Sequence, residues 1–195
     1  AKASSARPEG LPSGIGKSSL AALALKLAAP EAGRITLGGV DLADLAASAV
    51  RTRIAWLAQG THLFADTIRA NLLMTRPEAD DAALWQALEA ARIAEAVRAL
   101  PQGLDTWLGE GGAGFSGGQG RRLALARALL SPAPILILDE PCAGLDAATE
   151  RDFLATLNGV AAGRTVILIA HRLSGVERLD RIGRLSGGVA VAATG

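Results

Sequence analysis

Two runs of uninterrupted apolar residues, Ile135 to Leu138 and Val166 to Ala170, stand out along the chain. Runs this short have no polar face to turn to water, so they predict strands covered on both faces, as in a parallel sheet. Elsewhere the pattern is helical or turn-like. Ser18 to Ala29, rich in Ala and Leu and followed by Pro30 and Gly33, predicts a helix. Arg34 to Leu37, the Gly38-Gly39 pair and the residues after it predict a hairpin. Arg53 to Ala58 reads as a short strand with Gln59 at its end. From Asp80 to Leu100 the spacing of Leu84, Leu88, Ala91, Ala94 and Val97 predicts one amphipathic helix, stopped by Pro101. Gly109 to Gly118 is a glycine-rich loop opening into a helix from Gln119 to Leu130, which Pro132 and Pro134 end. Strands alternating with helices predict a doubly wound α/β core, with residues 60–130 as an inserted helical subdomain.

Composition narrows the partners. A net charge of +1 over 195 residues, with both signs mixed throughout, leaves no basic stripe for nucleic acid or anionic lipid. The chain has three lysines, Lys2, Lys17 and Lys26, and this scarcity makes Lys17 conspicuous. The single cysteine, Cys142, forms no intrachain disulfide, so the sequence requires no oxidising compartment. No apolar run approaches the ~20 residues that span a bilayer, and the first ten residues lack the apolar centre of a signal peptide. Contact with a membrane would have to go through another chain or a missing segment.

Candidate chemistry begins at Ser13-Gly14-Ile15-Gly16-Lys17-Ser18, immediately before a predicted helix. Glycines let backbone N–H groups curl around phosphates, and a helix N-terminus favours their charge. The phosphate-loop pattern G-x-x-x-x-G-K-[ST] wants glycine where Leu11 stands, and Gly10 is one residue early. Alone, the stretch suits a phosphate cradle and a flexible glycine-rich turn equally. In the first reading Lys17 holds the β and γ phosphates and Ser18 ligates Mg²⁺. Ile135 to Leu138 ends in Asp139-Glu140, so a buried strand delivers two carboxylates to its C-terminal edge, where α/β proteins bind ligands. Asp139 suits a metal, and Glu140 suits orienting or deprotonating a water.

Phe115-Ser116-Gly117-Gly118-Gln119 resembles the LSGGQ signature of the ABC ATPases, with Phe for Leu. The resemblance implies a P-loop ATPase of α/β class, with a parallel-rich sheet and an inserted helical subdomain. It implies ATP and Mg²⁺ as ligands, held by Ser13, Gly14, Gly16, Lys17, Ser18 and Ser19, with Ser18, Gln59 and Asp139 toward the metal. Glu140, His171 and Gln59 become the catalytic candidates, His171 as the switch histidine and Gln59 as the Q-loop glutamine. Ser116, Gly117, Gly118 and Gln119 would grip the γ-phosphate held by an opposite subunit, and Gly144-Leu145-Asp146 resembles the D-loop that crosses the dimer interface. The implied partners are a second nucleotide-binding domain and the membrane domains of an exporter, placing the chain at the cytoplasmic face of the membrane; no nucleic acid is expected. His62, Trp56, Trp85, Trp107 and Met74 read as packing or interface residues.

Thr61-His62-Leu63-Phe64, Asn71-Leu72-Leu73, Trp107 to Gly112 and Ala170 to Leu173 further resemble the CydC-type subunits of heterodimeric exporters. That resemblance implies a CydD-like partner, cysteine or glutathione export and a part in cytochrome bd assembly. The sequence departs from the family in having no Tyr and no apolar run before the phosphate loop, so the adenine-stacking aromatic and the strand leading into the loop are not found. A fragment or a damaged copy is therefore expected. One cassette with a compact insert argues against ABC ATPases of DNA repair or translation. A non-hydrolysing regulatory domain is favoured by Leu11 and opposed by Glu140 and His171.

Overall fold

The computed structural model describes residues 17–60, 62–112, 114–143, 145–160, 163–171, 179–186 and 189–193. The chain divides into two compact units, one formed by Ala1–Val50 with Leu179–Gly195 and one by Arg51–Arg178.

The first unit contains α1 (Lys17–Ala24), which ends five residues before the expected end at Ala29. Its end is a closing turn in which Lys26 N–H donates to Leu23 O (3.0 Å) and Leu27 N–H to Ala22 O (2.8 Å). This paired arrangement satisfies the last carbonyls and needs a left-handed residue, here Lys26 at φ 53° rather than glycine. The Lys26 amino group donates to the carbonyls of Leu42, Ala43 and Leu45, tying the helix end to the 3₁₀ turn Leu42–Asp44. β1 (Thr36–Leu37) and β2 (Val40–Asp41) form the expected hairpin, its turn made by Gly38 and Gly39 at φ 59° and 86°. α2 (Ala47–Arg51) comes next.

The second unit carries the parallel sheet. β3 (Ile54–Leu57) is followed by α3 (Ile68–Leu73), α4 (Asp81–Ala90), α5 (Ala94–Arg98) and α6 (Gly117–Leu130), then by β4 (Ile135–Asp139), α7 (Ala147–Val160) and β5 (Thr165–Ile169). The three strands lie in the order β3-β4-β5, all parallel, with Leu57, Leu138 and Leu168 level with one another. β4 is buried on both faces, as its sequence requires. β5 departs from that expectation, since Ile167 is 44% exposed. Two further strands, β6 (Ile182–Ser186) and β7 (Val189–Ala193), pair antiparallel in the first unit.

The single helix expected from Asp80 to Leu100 is two. A second closing turn, Arg92 N–H to Glu89 O and Ile93 N–H to Leu88 O, puts Arg92 at φ 56° and restarts the chain as α5. The predicted inward set survives the break, for Leu84, Leu88, Ala91, Ala94 and Val97 are all buried. α6 runs through the middle of this unit, packed on α3, α4 and β3, with Leu123 to Ala126 all buried. Its alanines let neighbouring elements approach closely, and one apolar core joins these helices to the inward residues Ala55, Leu57, Leu136 and Leu138 of the sheet. Trp107 and Met74 are exposed, whereas Trp85 is partly buried beneath the Arg98 guanidinium.

In the glycine-rich loop before α6, Gly112 has φ 83°, and an added Cβ would meet Leu63 Cδ1 at 2.7 Å. Gly112→Ala is therefore expected to destabilise the fold by about 1–2 kcal/mol, from the left-handed backbone alone. A denaturant titration checks this; unchanged stability would contradict it. Among the described residues no helix is long and apolar enough to cross a membrane.

Candidate active site

Three parallel strands end side by side, and each hands its next residues to one cluster. Glu140 directly follows β4, Gln59 lies two residues beyond β3, and His171 two beyond β5. Gln59 Nε2 donates to Glu140 Oε2 at 2.8 Å, and His171 Nε2 lies 2.6 Å from Glu140 Oε1. The Glu140 carboxylate thus sits between an amide and an imidazole, with its own side chain 11% exposed and that of His171 70% exposed. Asp139, the last residue of β4, is buried beside it at 2% exposure.

Glu140 adopts φ 48°, a left-handed conformation that costs a non-glycine residue on the order of 1–2 kcal/mol. Its backbone is held there from both sides. Its N–H donates to Ile169 O at 2.8 Å, and its carbonyl accepts from Ala143 N–H at 3.1 Å and from Arg121 Nη1 at 2.6 Å. Backbone strain that the surroundings over-determine is a recurrent feature of functional sites. A cavity of about 220 Å³ opens next to Glu140, lined also by Cys142, Leu145, Glu150, Leu168 and His171.

The signature residues occupy the N-terminus of α6. Ser116 is its N-cap: the Ser116 hydroxyl accepts from Gln119 N–H at 3.2 Å, and Gln119 Oε1 accepts from Ser116 N–H at 2.9 Å. The two side chains therefore satisfy helix donors reciprocally. Gly117 has nothing within 4 Å of where a Cβ would stand, and Gly118 faces Leu145 Cδ2 at 3.5 Å. Asp146 caps α7, accepting from Ala148 N–H, Thr149 N–H and the Thr149 hydroxyl. The Thr149 hydrogen bonds lower its carboxyl pKa below the usual range.

Of the other expected site residues, Ser13, Gly14 and Gly16 lie outside the described residues, as do Leu11 and Gly144. Lys17 and Ser18 open α1 in the first unit, where their side chains are not among those described, and Ser19 is exposed. The structure brings Gln59, Asp139, Glu140 and His171 together in the second unit, with Ser116 to Gln119 on the same unit. Sequence reasoning missed Arg121, whose Nη2 also donates to Gln59 O at 2.9 Å. Its charge did not single it out, because Arg122 and Arg127 lie on the same helix. Burial pulls the Arg121 pKa below the ordinary arginine value, while Cys142 and Glu140 act against that shift.

The sequence profile described as ABC transporter matches residues 12–143. The ATP-dependent lipid A-core flippase of Chromobacterium violaceum is 47% identical over 170 residues, which is 87% of this chain and 29% of that protein. The protein of the same name from Ralstonia nicotianae is 46% identical over 185 residues, covering 93% of this chain and 31% of the relative. A solved bacterial Atm1-family ABC exporter with ATP bound superposes with a TM-score of 0.83 at 42% identity, over 91% of this chain and 31% of that one. The chain spans under a third of the length of these relatives. A profile match over most of the chain, relatives at this identity, and a shared fold with three strand ends meeting at one carboxylate all agree: the chain belongs to the ABC transporter family.

Proposed function

We propose that this chain is the ATP-binding and ATP-hydrolysing domain of an ABC exporter, and that Glu140 is its general base. The observation that carries the reading is the contact of Gln59 and His171 with the two oxygens of one carboxylate at the sheet's C-terminal edge. MgATP is the substrate. Lys17 would neutralise phosphate charge, and Ser18, Gln59 and Asp139 are the residues that would offer oxygen ligands of the kind that suit Mg²⁺. Glu140 accepts a proton from the attacking water, Gln59 holds the carboxylate in place, and His171, beside that carboxylate, is assigned the role of donor to a phosphate oxygen. This constellation favours hydrolysis over a non-hydrolysing regulatory domain.

The partners of this reading are a second nucleotide-binding domain and the exporter's membrane domains, and residues 60–130 form the helical part that carries the signature to that second domain. The relatives named lipid A-core flippases favour a lipid-type cargo. The CydC-like alternative, with thiol export and a CydD-like partner, keeps only its short motifs, and the relatives give it no support.

Replacing Lys17 by Ala removes a charge-assisted contact to phosphate and should weaken ATP binding by about 10- to 100-fold. A nucleotide titration of the assembled transporter checks this, and unchanged affinity would refute the phosphate-loop assignment.

A further inference from the structure

β3 and β4 run in register up to Leu57 and Leu138. Beyond those residues they pass out of ladder pairing, at the point where Gln59 and Glu140 must be held together. There the side chain of Arg121 takes over. Nη1 donates to Glu140 O at 2.6 Å and Nη2 to Gln59 O at 2.9 Å, so one planar guanidinium fixes the spacing of the two backbones. The Gln59 amide meets the Glu140 carboxylate at 2.8 Å within that frame. Arg121 stands on α6, five residues after the cap residue Ser116 and two after Gln119.

We propose that Arg121 is a positioning residue that locks the Gln59–Glu140 pair through their carbonyls and ties that pair to the first turns of the signature helix. The proposal rests on the hydrolytic reading of Glu140 given above. The fork geometry is what matters. A guanidinium presents N–H donors from two separate nitrogens in a rigid fork, whereas a lysine offers a single nitrogen on a flexible stem and cannot reproduce that two-point grip. The arginine also steadies Glu140 in its left-handed conformation, since the carbonyl it grips is that of the φ 48° residue itself. A movement of the N-terminal end of α6 would reach the catalytic carboxylate along this route without passing through the nucleotide.

The test measures ATP turnover of the assembled transporter carrying Arg121→Ala or Arg121→Lys, each alone and combined with Glu140→Gln. Misplacing a catalytic group by an ångström or so lowers kcat by about 10- to 100-fold, and that is the loss expected of either variant. KM for ATP should change far less than kcat, by no more than about fivefold, because Lys17 and Ser18 still hold the phosphates and only the Gln59 contribution to Mg²⁺ is loosened. In the Glu140→Gln background the further loss should be less than about twofold, since Arg121 acts through a group already disabled. A merely structural arginine would instead lower turnover by the same factor in both backgrounds, and that result would overturn the proposal. Should Arg121→Ala not fold, Arg121→Lys retains the charge and carries the test; wild-type kcat in that variant overturns the proposal equally. If Glu140→Gln alone leaves turnover intact, it is the hydrolytic reading that fails.

Discussion

Glu140→Gln is expected to slow ATP hydrolysis at the site bearing it by about 10²- to 10⁴-fold, the usual contribution of a positioned general base, while ATP binding is preserved. The amide keeps the shape of the carboxylate and retains an oxygen for the Gln59 contact now 2.8 Å long. It cannot accept the water's proton. Single-site turnover and nucleotide affinity, measured on the same transporter, separate the two effects. Unchanged turnover would remove Glu140 from the mechanism, and lost binding would show a structural rather than a chemical role.

The second large effect is expected from Gly117→Asp. Gly117 is exposed, and no atom lies within 4 Å of a Cβ placed there, so the side chain enters open space and the fold should tolerate it. Chemically it is a poor guest: it sets a carboxylate at a helix N-terminus proposed to receive a partner's γ-phosphate. Oriented donors of this kind contribute about 10²- to 10³-fold each to turnover. We expect at least that loss at the partner's nucleotide site, with nucleotide affinity of the mutated chain and its thermal unfolding unchanged. Turnover equal to wild type at the partner's site would refute the role of the signature in trans.

How far the sequence could be read depends on where each signal lay. Glu140 was legible from the apolar strand that ends at it, and Gln59 and His171 from the resemblance that the signature carries; strands ending at one edge of a parallel sheet then bring the three together. The Gly38-Gly39 hairpin was legible because two positive φ angles call for glycine. The early end of α1 and the break between α4 and α5 were not. Both depend on left-handed residues that are not glycine, Lys26 and Arg92, and neither carries a mark in composition or periodicity. Ser116 and Gln119 were read as an anion site, although their S-x-x-Q spacing also spells a capping box, which is the arrangement found. Arg121 was out of reach for another reason. Its two acceptors are 62 and 19 residues away, and only the finished sheet brings both carbonyls within range of one side chain.

Each hydrolytic site, in the proposed mechanism, joins Glu140 of one chain to the signature of its partner. The most direct measurement is a single-turnover phosphate burst from transporters carrying Glu140→Gln and Gly117→Asp, at these or the counterpart positions, either on the same chain or on opposite chains. With the two changes on opposite chains they fall on one site, so the other site should still release its phosphate. With both on the same chain, each site loses one component and the burst should vanish. The reverse pattern, a burst retained when both changes share a chain and abolished when they are divided, would contradict the shared-site mechanism.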